Sequence, residues 1–390
     1  MSPNTQFPAS STIHKVGFDA KRAFTNTSGL GNYSRHIISS LMRFYPNEEY
    51  TLFTTGINPI FADFYPQTTH CEIVKPTGLS KKLASVWRTF GMADDLSKRK
   101  IDLYHGLSNE LPFGLSDTNT KLVVTIHDLI FLRYPSWYNL TDRFIYKKKF
   151  ANACRIADQI VAISEQTKAD IIQFFGTPAE KISVVYQDCD PVFQIPMPGA
   201  ELARIRTQYQ LPERYILCVG TIEKRKNQLN LLKAWHTSNF FTNFDLVLVG
   251  KHTPYIKEVK QYIQQHGLES RVHFPPYIPF KDLPGLYRLA SLFVYPSVFE
   301  GFGIPIIEAL NCGVPVITST GSCFSEAGGP GSIYINPESA EELTAAINKV
   351  LSSPELQRQM IPQGKQHVLQ FRPENTIDKL HQVYKKALNL

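Results

Sequence analysis

The sequence predicts an α/β protein made of two doubly wound domains, and three observations carry that prediction. Short β-rich runs alternate with helical stretches along the whole chain. The runs are continuously apolar, as expected of parallel strands buried on both faces. The chain has 390 residues, more than one ordinary core uses, and its pattern breaks at "DPVFQIPMPGAEL", where three prolines and a glycine intervene. Domains are therefore expected at 1–192 and 193–372, joined around residue 193. Ligands of such sheets bind outside the carboxyl ends of the strands, so the two sheets are expected to face each other across one cleft.

In the first half, strands are expected at "KVGFDA", "YTLFTT", "CEIVKP", "IDLYHG", "KLVVTIHD", "QIVAIS" and "ISVVYQ", with helices at Leu30–Phe44, Leu140–Arg155 and Glu165–Phe175. In the second half, the strands are "YILCVG", "FDLVLVG", "RVHFPPY", "LFVYPS", "PVITST" and "SIYINP". The segment Ala340–Leu351 sets Leu343, Ala346, Ile347, Val350 and Leu351 on one helical face.

Composition narrows the function. Apolar residues are 43% and charged residues 19%, a globular balance, and no apolar run is long enough to span a bilayer. The opening "MSPNTQFPASSTIHK" has no basic and apolar regions in the order of a signal peptide and is expected to be a disordered lead. Six scattered cysteines form no CxxC, and no histidines stand at i,i+4, so reduced thiols in a cytoplasmic setting and no metal site are expected. The net charge of +7 suits an anionic partner: a nucleotide, a phospholipid surface or nucleic acid. The basic clusters "KKLASVWRTF", "SKRK" and "DRFIYKKKF" all fall in the first half, where solvated helix faces are the commoner explanation. Little aromatic interleaving accompanies them, which argues against nucleic acid.

Four stretches could carry chemistry. In "VFEGFGIPIIEALNCGVPVI", Glu300 follows a strand end, Gly301 and Gly303 flank Phe302, and Pro305 fits the first helical position. Exposed N–H groups at such a helix start form an anion site. Glu308, one turn further in, stands among apolar neighbours that leave little solvated face. Carboxylates on either side of those donors suit a polyhydroxylated, anionic ligand. In "ILCVGTIEKRKN", a strand ends at Gly220, Thr221 follows, and Arg225 and Lys226 stand where a diphosphate could be neutralised. In "SGLGNYSRHII", Gly29 and Gly31 match the first two glycines of GxGxxG, but Ser34 occupies the third place and "YTLFTTGINP" lacks the ribose-binding acid. A glycine loop beside a phosphate or sugar, or a plain tight turn, remains open there. In "VVTIHDL", His127 and Asp128 end a strand, where histidine could bond a sugar hydroxyl or a nearby carbonyl.

Taken together, these stretches and "AISEQTKADI", "VVYQDCDP", "SEAGG" and "INPESAEELTAAI" resemble the GT4-type retaining glycosyltransferases of GT-B fold, the glycosyl transferases group 1, over nearly the whole chain. The resemblance implies two Rossmann-like domains, an acceptor-side one first and a nucleotide-sugar-binding one second, with 373–390 crossing back to the first. It implies Glu300 beside the donor sugar with backbone N–H groups of Phe302 and Gly303 near it, Glu308 on the nucleotide ribose, Arg225 and Lys226 on the diphosphate, and His127 near the sugar. It also implies that the Gly29–Gly31 loop faces donor phosphate and acceptor. Thr221 stands where many members have arginine, and Gln187 where asparagine is usual after the "VVY" strand.

The function so implied is a retaining, metal-independent hexosyltransferase of glycan or polysaccharide synthesis with no cofactor. Its donor is a nucleoside diphosphate sugar of GDP or UDP type, mannose on GDP being preferred. Its acceptor is a hydroxyl on a glycan or lipid-linked molecule. The basic first half would offer peripheral contact with the inner face of a membrane. Two rival expectations stand beside it: another GT-B enzyme, such as a nucleotide-sugar epimerase or a phosphorylase, and a non-catalytic protein that binds sugar nucleotides or membrane surfaces.

Overall fold

The computed structural model describes residues 14–65, 70–77, 83–115 and 118–390. The lead at 1–13, and Lys81 and Lys82 of the first basic cluster, lie outside the described residues. The chain divides into two compact units, Met1–Gln187 with Pro373–Leu390, and Asp188–Arg372.

Among the described residues, the first unit holds seven parallel strands: β1 (Lys15–Asp19), β2 (Glu49–Phe53), β3 (Cys71–Val74), β4 (Leu103–Gly106), β5 (Lys121–Ile126), β6 (Gln159–Ala162) and β7 (Ile182–Val184). Their order is β3-β2-β1-β4-β5-β6-β7, which reverses direction at β1 and β4 and opens the crevice of a doubly wound sheet there. The strands are apolar on both faces because helices cover both. Ile37, Ile38 and Leu41 of the helix Gly29–Phe44 pack on one side with Ile377, Leu380 and Tyr384 of the helix Pro373–Leu388. Trp87, Met92, Leu96 and Phe150 fill the other. The Tyr384 hydroxyl lies 2.7 Å from His105 Nδ1 on β4, and His105 Nε2 lies 2.8 Å from Thr125 Oγ1, so the last helix is hydrogen-bonded into the sheet.

Local chemistry sets the helix ends. Ser164 Oγ accepts from Thr167 N at 3.0 Å and starts the helix Glu165–Phe175, and Gly176 at φ +62° ends it. The helix Leu140–Ile156 begins at Asn139, whose side chain accepts from Asp142 N at 2.8 Å.

The second unit holds, among the described residues, six parallel strands: β8 (Tyr215–Val219), β9 (Asp245–Val249), β10 (Val272–His273), β11 (Leu292–Tyr295), β12 (Val316–Ser319) and β13 (Ser332–Ile335), in the order β10-β9-β8-β11-β12-β13. Order again reverses between β8 and β11. On one face, Leu231, Leu232 and Trp235 of the helix Gln228–His236 pack with Leu343, Ile347 and Val350 of Ala340–Leu351.

The division at Gln187/Asp188 corrects the expected join at 192/193. Residues 188–193 are tied to the second unit: Asn311 Nδ2 reaches Cys189 Sγ at 3.2 Å, Arg288 donates to the Phe193 carbonyl at 2.8 Å, and the Phe193 ring packs edge-on to Tyr287 at 5.7 Å. The stretch "RVHFPPY" is a strand only over Val272–His273, since prolines cannot donate to a ladder. All six cysteines are free thiols.

Candidate active site

The site is assembled by adjacent strands of the second unit. β8 ends at Val219 and passes through Gly220 and Thr221 to a tight turn at Lys224–Lys226. β11 ends at Tyr295 and passes through Ser297 to Glu300. Because β8 and β11 pair, the two loops meet: Val298 N donates to Arg225 O at 2.9 Å, Arg225 Nη1 to Phe299 O at 2.8 Å, and Ser297 Oγ to Arg225 O at 3.1 Å.

The Glu300 carboxylate sits at the centre, only 8% exposed. Its Oε1 takes Lys226 Nζ at 2.7 Å, Arg225 Nη1 at 2.6 Å and Ser297 Oγ at 2.5 Å. Lys226 Nζ also donates to the Tyr295 hydroxyl, and Arg225 Nη2 to Glu223 Oε1 at 2.7 Å. Burial alone would raise the Glu300 carboxyl, but the Lys226 and Arg225 charges outweigh it and hold it at about 2. Ser322 Oγ donates to the Glu300 carbonyl at 2.9 Å and fixes the loop from the far side.

Gly303, at φ +110°, adopts a backbone that other residues rarely take and starts the helix Ile304–Asn311. The helix begins at Ile304, so Pro305 occupies its second position rather than its first. Gly301 is half-buried. Phe302 buries its ring edge-on to Phe371 at 5.4 Å, and its carbonyl accepts from Cys323 Sγ at 2.8 Å. Glu308, 7% exposed, faces Tyr287, whose hydroxyl donates to Oε2 at 2.7 Å. Burial pushes its carboxyl up to about 7; the Tyr287 bond opposes this and the Asp190 charge adds to it. Gly220 lies at φ +149° at the end of β8, and the Thr221 carbonyl accepts from Gln228 Nε2 at 2.9 Å.

The remaining candidates lie in the first unit. Gly29 opens the helix Gly29–Phe44 and Gly31 stands within its first turn, so this stretch is a helix start rather than a free loop. A side chain at Gly31 would strike the Asn26 carbonyl at 2.0 Å, so glycine is needed there for close packing. His127 is buried with both ring nitrogens engaged. Nε2 lies 2.9 Å from the Leu107 carbonyl and so carries the proton, while Nδ1 accepts from Gln187 Nε2 at 3.1 Å. Burial keeps the ring neutral, at about 4, against the favourable Leu107 bond. Of the two expectations for this residue, a carbonyl partner is the one present. Asp128 Oδ1 accepts from Ile130 N at 3.2 Å.

The sequence reading missed Ser297, Tyr295, Tyr287 and Ser322. Ser297 was within reach of it, three residues before Glu300 at a strand end. Tyr287 and Ser322 come from elements that no local pattern links to the glutamates. On the helix Leu140–Ile156, Phe144, Ile145, Lys147 and Lys148 are exposed. Among the described residues, no helix is long and apolar enough to cross a membrane.

Comparison with known proteins gives two family matches: "Glycosyltransferase Family 4" over residues 27–191 and "Glycosyl transferases group 1" over 202–367. The chain is 29% identical over 374 residues to O-antigen chain mannosyltransferase B of Escherichia coli, covering 92% of this chain and 96% of that protein. It is 28% identical over 279 residues to the serotype-specific mannosyltransferase WbdA of Escherichia coli, covering 70% of this chain and 34% of that longer protein. Anabaena Alr3699/HepE, solved in complex with UDP, superposes with a TM-score of 0.74 at 19% identity, over 96% of this chain and 100% of that one.

Proposed function

The chain belongs to the glycosyl transferases group 1 family, of GT4 type and GT-B fold, and from that premise we propose that it moves a hexose, mannose by preference, from a nucleoside diphosphate sugar to a hydroxyl acceptor in polysaccharide synthesis, with retention of anomeric configuration. The supporting observation is the convergence of Lys226, Arg225 and Ser297 on one oxygen of Glu300 at the carboxyl edge of β8 and β11. That arrangement fixes a carboxylate against two cations beside a helix start. Mannosyltransferase relatives favour the sugar, and the UDP in the structural neighbour favours the nucleotide class.

Each residue then has a chemical task. Ammonium has three protons and Lys226 gives two to Glu300 and Tyr295, so the third serves a phosphate oxygen. Arg225 and the N-terminus of the helix Ile304–Asn311 add positive potential where charge develops on the departing diphosphate. With Oε1 saturated, Glu300 offers Oε2 to a sugar hydroxyl, where a negative charge also stabilises an oxocarbenium-like centre. Glu308 accepts from the ribose diol. The acceptor attacks from the face the diphosphate leaves, and a phosphate oxygen takes its proton. The cations perform the neutralisation that a metal would otherwise supply.

A panel of GDP and UDP sugars, each with and without a mannose oligosaccharide acceptor, tests this. Expected are transfer from GDP-mannose, nucleoside diphosphate release that depends on acceptor, indifference to EDTA, and product with the donor's anomeric configuration by NMR. An inverted product, or no transfer from any donor, would refute the proposal.

A further inference from the structure

His127 follows β5 at the carboxyl edge of the first sheet, beside β4, where the strand order reverses. The protein holds it by backbone and ring alike. Its N–H donates to Asn109 Oδ1 at 2.7 Å, and its carbonyl accepts from Thr167 Oγ1 at 3.2 Å. Tyr33 meets the ring edge-on at 4.6 Å. Nε2 donates to the Leu107 carbonyl, and Nδ1 accepts from the Gln187 amide. Gln187 stands apart from the other partners. It is the last residue of the first unit, is buried, and lies in no helix or strand.

The Leu107 carbonyl only accepts, so it fixes the proton of the neutral ring on Nε2 and leaves a lone pair on Nδ1. The charged and titratable neighbours keep that assignment. Arg22 opposes an imidazolium, and His105 on β4 is itself buried and neutral, bonded to Tyr384 and Thr125. The Tyr33 hydroxyl is engaged by Thr125 Oγ1 at 3.0 Å. Gln187 therefore does not choose the tautomer; it satisfies the acceptor that the tautomer creates. A buried lone pair without a donor is costly, so Nδ1 needs one in the empty protein.

The lone pair defines what can take the place of Gln187 at this ligand-binding edge. The incoming group must donate. A phosphate oxygen only accepts and is turned away, whereas a hydroxyl donates. Exchange of amide for hydroxyl replaces one neutral donor by another, so the ring keeps its orientation and its proton. The Gln187 side chain can swing aside without breaking a helix or a ladder, since its residue belongs to neither. Leu107, Asn109, Thr167 and Tyr33 hold the imidazole meanwhile.

We propose that Gln187 is a positioning residue that occupies Nδ1 of His127 in the empty protein and yields it to a hydroxyl of a bound sugar. The proposal rests on the reading of the chain as a sugar transferase; the hydroxyl belongs to the donor or to the acceptor, and separate probes tell these apart. The full chain, with isotope-labelled histidine, is titrated by NMR with GDP-mannose, UDP-glucose and mannotriose, and with GDP, UDP and inorganic phosphate as controls. Without ligand, His127 should carry its proton on Nε2. A sugar probe should shift Nδ1 and leave the proton in place, and the controls should leave Nδ1 unmoved. These measurements need no variant to fold. Gln187→Leu keeps the bulk and removes the donor, so the sugar no longer displaces an amide. Its affinity for the probe that moves Nδ1 should rise about threefold to tenfold, the worth of one neutral hydrogen bond, with GDP and UDP binding unchanged. Gln187→Glu faces Nδ1 with an acceptor, so the ring takes a second proton and loses its lone pair. The same probe should then bind about tenfold more weakly at neutral pH. A merely structural role predicts weaker binding in both variants. A proton on Nδ1 without ligand, a bound sugar probe that leaves Nδ1 unmoved, an equal shift from the controls, or unchanged or weaker sugar binding by Gln187→Leu would each overturn the exchange and leave the transferase reading standing. Binding of no GDP or UDP sugar would overturn that reading instead; the exchange then stands if mannotriose moves Nδ1 and falls if it does not.

Discussion

Glu300 and Glu308 are both buried and have seven residues between them, yet their surroundings push them in opposite directions. Glu300 meets two cations and a hydroxyl on one oxygen and is held at about 2. Glu308 meets a tyrosine hydroxyl and the field of Asp190 and is pushed to about 7. One carboxylate is fixed in its charged form before any ligand arrives. The other awaits a partner that favours its charge. The contrast teaches that burial decides nothing alone: the neighbours' charge determines whether a buried acid is a permanent anion or a titrating one.

The largest effect should come from Glu300→Gln. It keeps size but removes the charge that the proposed mechanism sets beside the reacting sugar, so on that proposal kcat and kcat/KM should fall together by about a hundredfold or more in steady-state kinetics. Wild-type turnover would break the comparison at its stronger end. Lys226→Ala and Arg225→Ala come next. Each should weaken nucleoside diphosphate by about one to two decades and nucleoside monophosphate much less, measured by calorimetry. Equal losses for both ligands would detach the basic turn from the outer phosphate.

Glu308→Gln sharpens the comparison through pH. In wild type, the folded-state value of about 7 lies above the ordinary glutamate value of 4.5, so the folded form retains a proton that the unfolded chain gives up. Stability is therefore lost as pH rises from 4.5 to about 7, by about 3 kcal/mol in total. The variant should melt near wild type at pH 5 and about 5 °C or more higher at pH 8. If Glu308 binds the ribose as proposed, its donor KM should rise about tenfold with kcat little changed, since a ribose contact is alike in ground and transition states. Identical melting at both pH values would mean that Glu308 carries its charge without penalty. Glu300 has the opposite sign: its contribution is complete above 4.5 and lost as pH falls towards about 2.

The strands were legible because parallel sheets leave continuous apolar signatures, and "YILCVG" and "LFVYPS" fall on β8 and β11. Glu300 and the basic turn were legible because both lie at strand ends. What joins them was not: the ion pair exists because β8 and β11 are neighbours despite the intervening β9 and β10, and order in a sheet leaves no local periodicity. In the first unit, the ion pairs of Arg88 with Asp19 and Glu110 were hidden for the same reason, the partners lying 69 and 22 residues from it. The unit boundary was misplaced because prolines mark where a pattern stops, while the packing of Cys189 and Phe193 determines which core receives the chain.

The helix Pro373–Leu388 has a consequence for biosynthesis. Ile377, Leu380 and Tyr384 belong to the core of the first unit, but are made only after the whole of the second. The contiguous segment 188–372 can close its own sheet while the earlier strands still wait for their final covering, with His105 lacking its Tyr384 partner. The half begun first is finished second, and chaperone dependence should concentrate in residues 14–187.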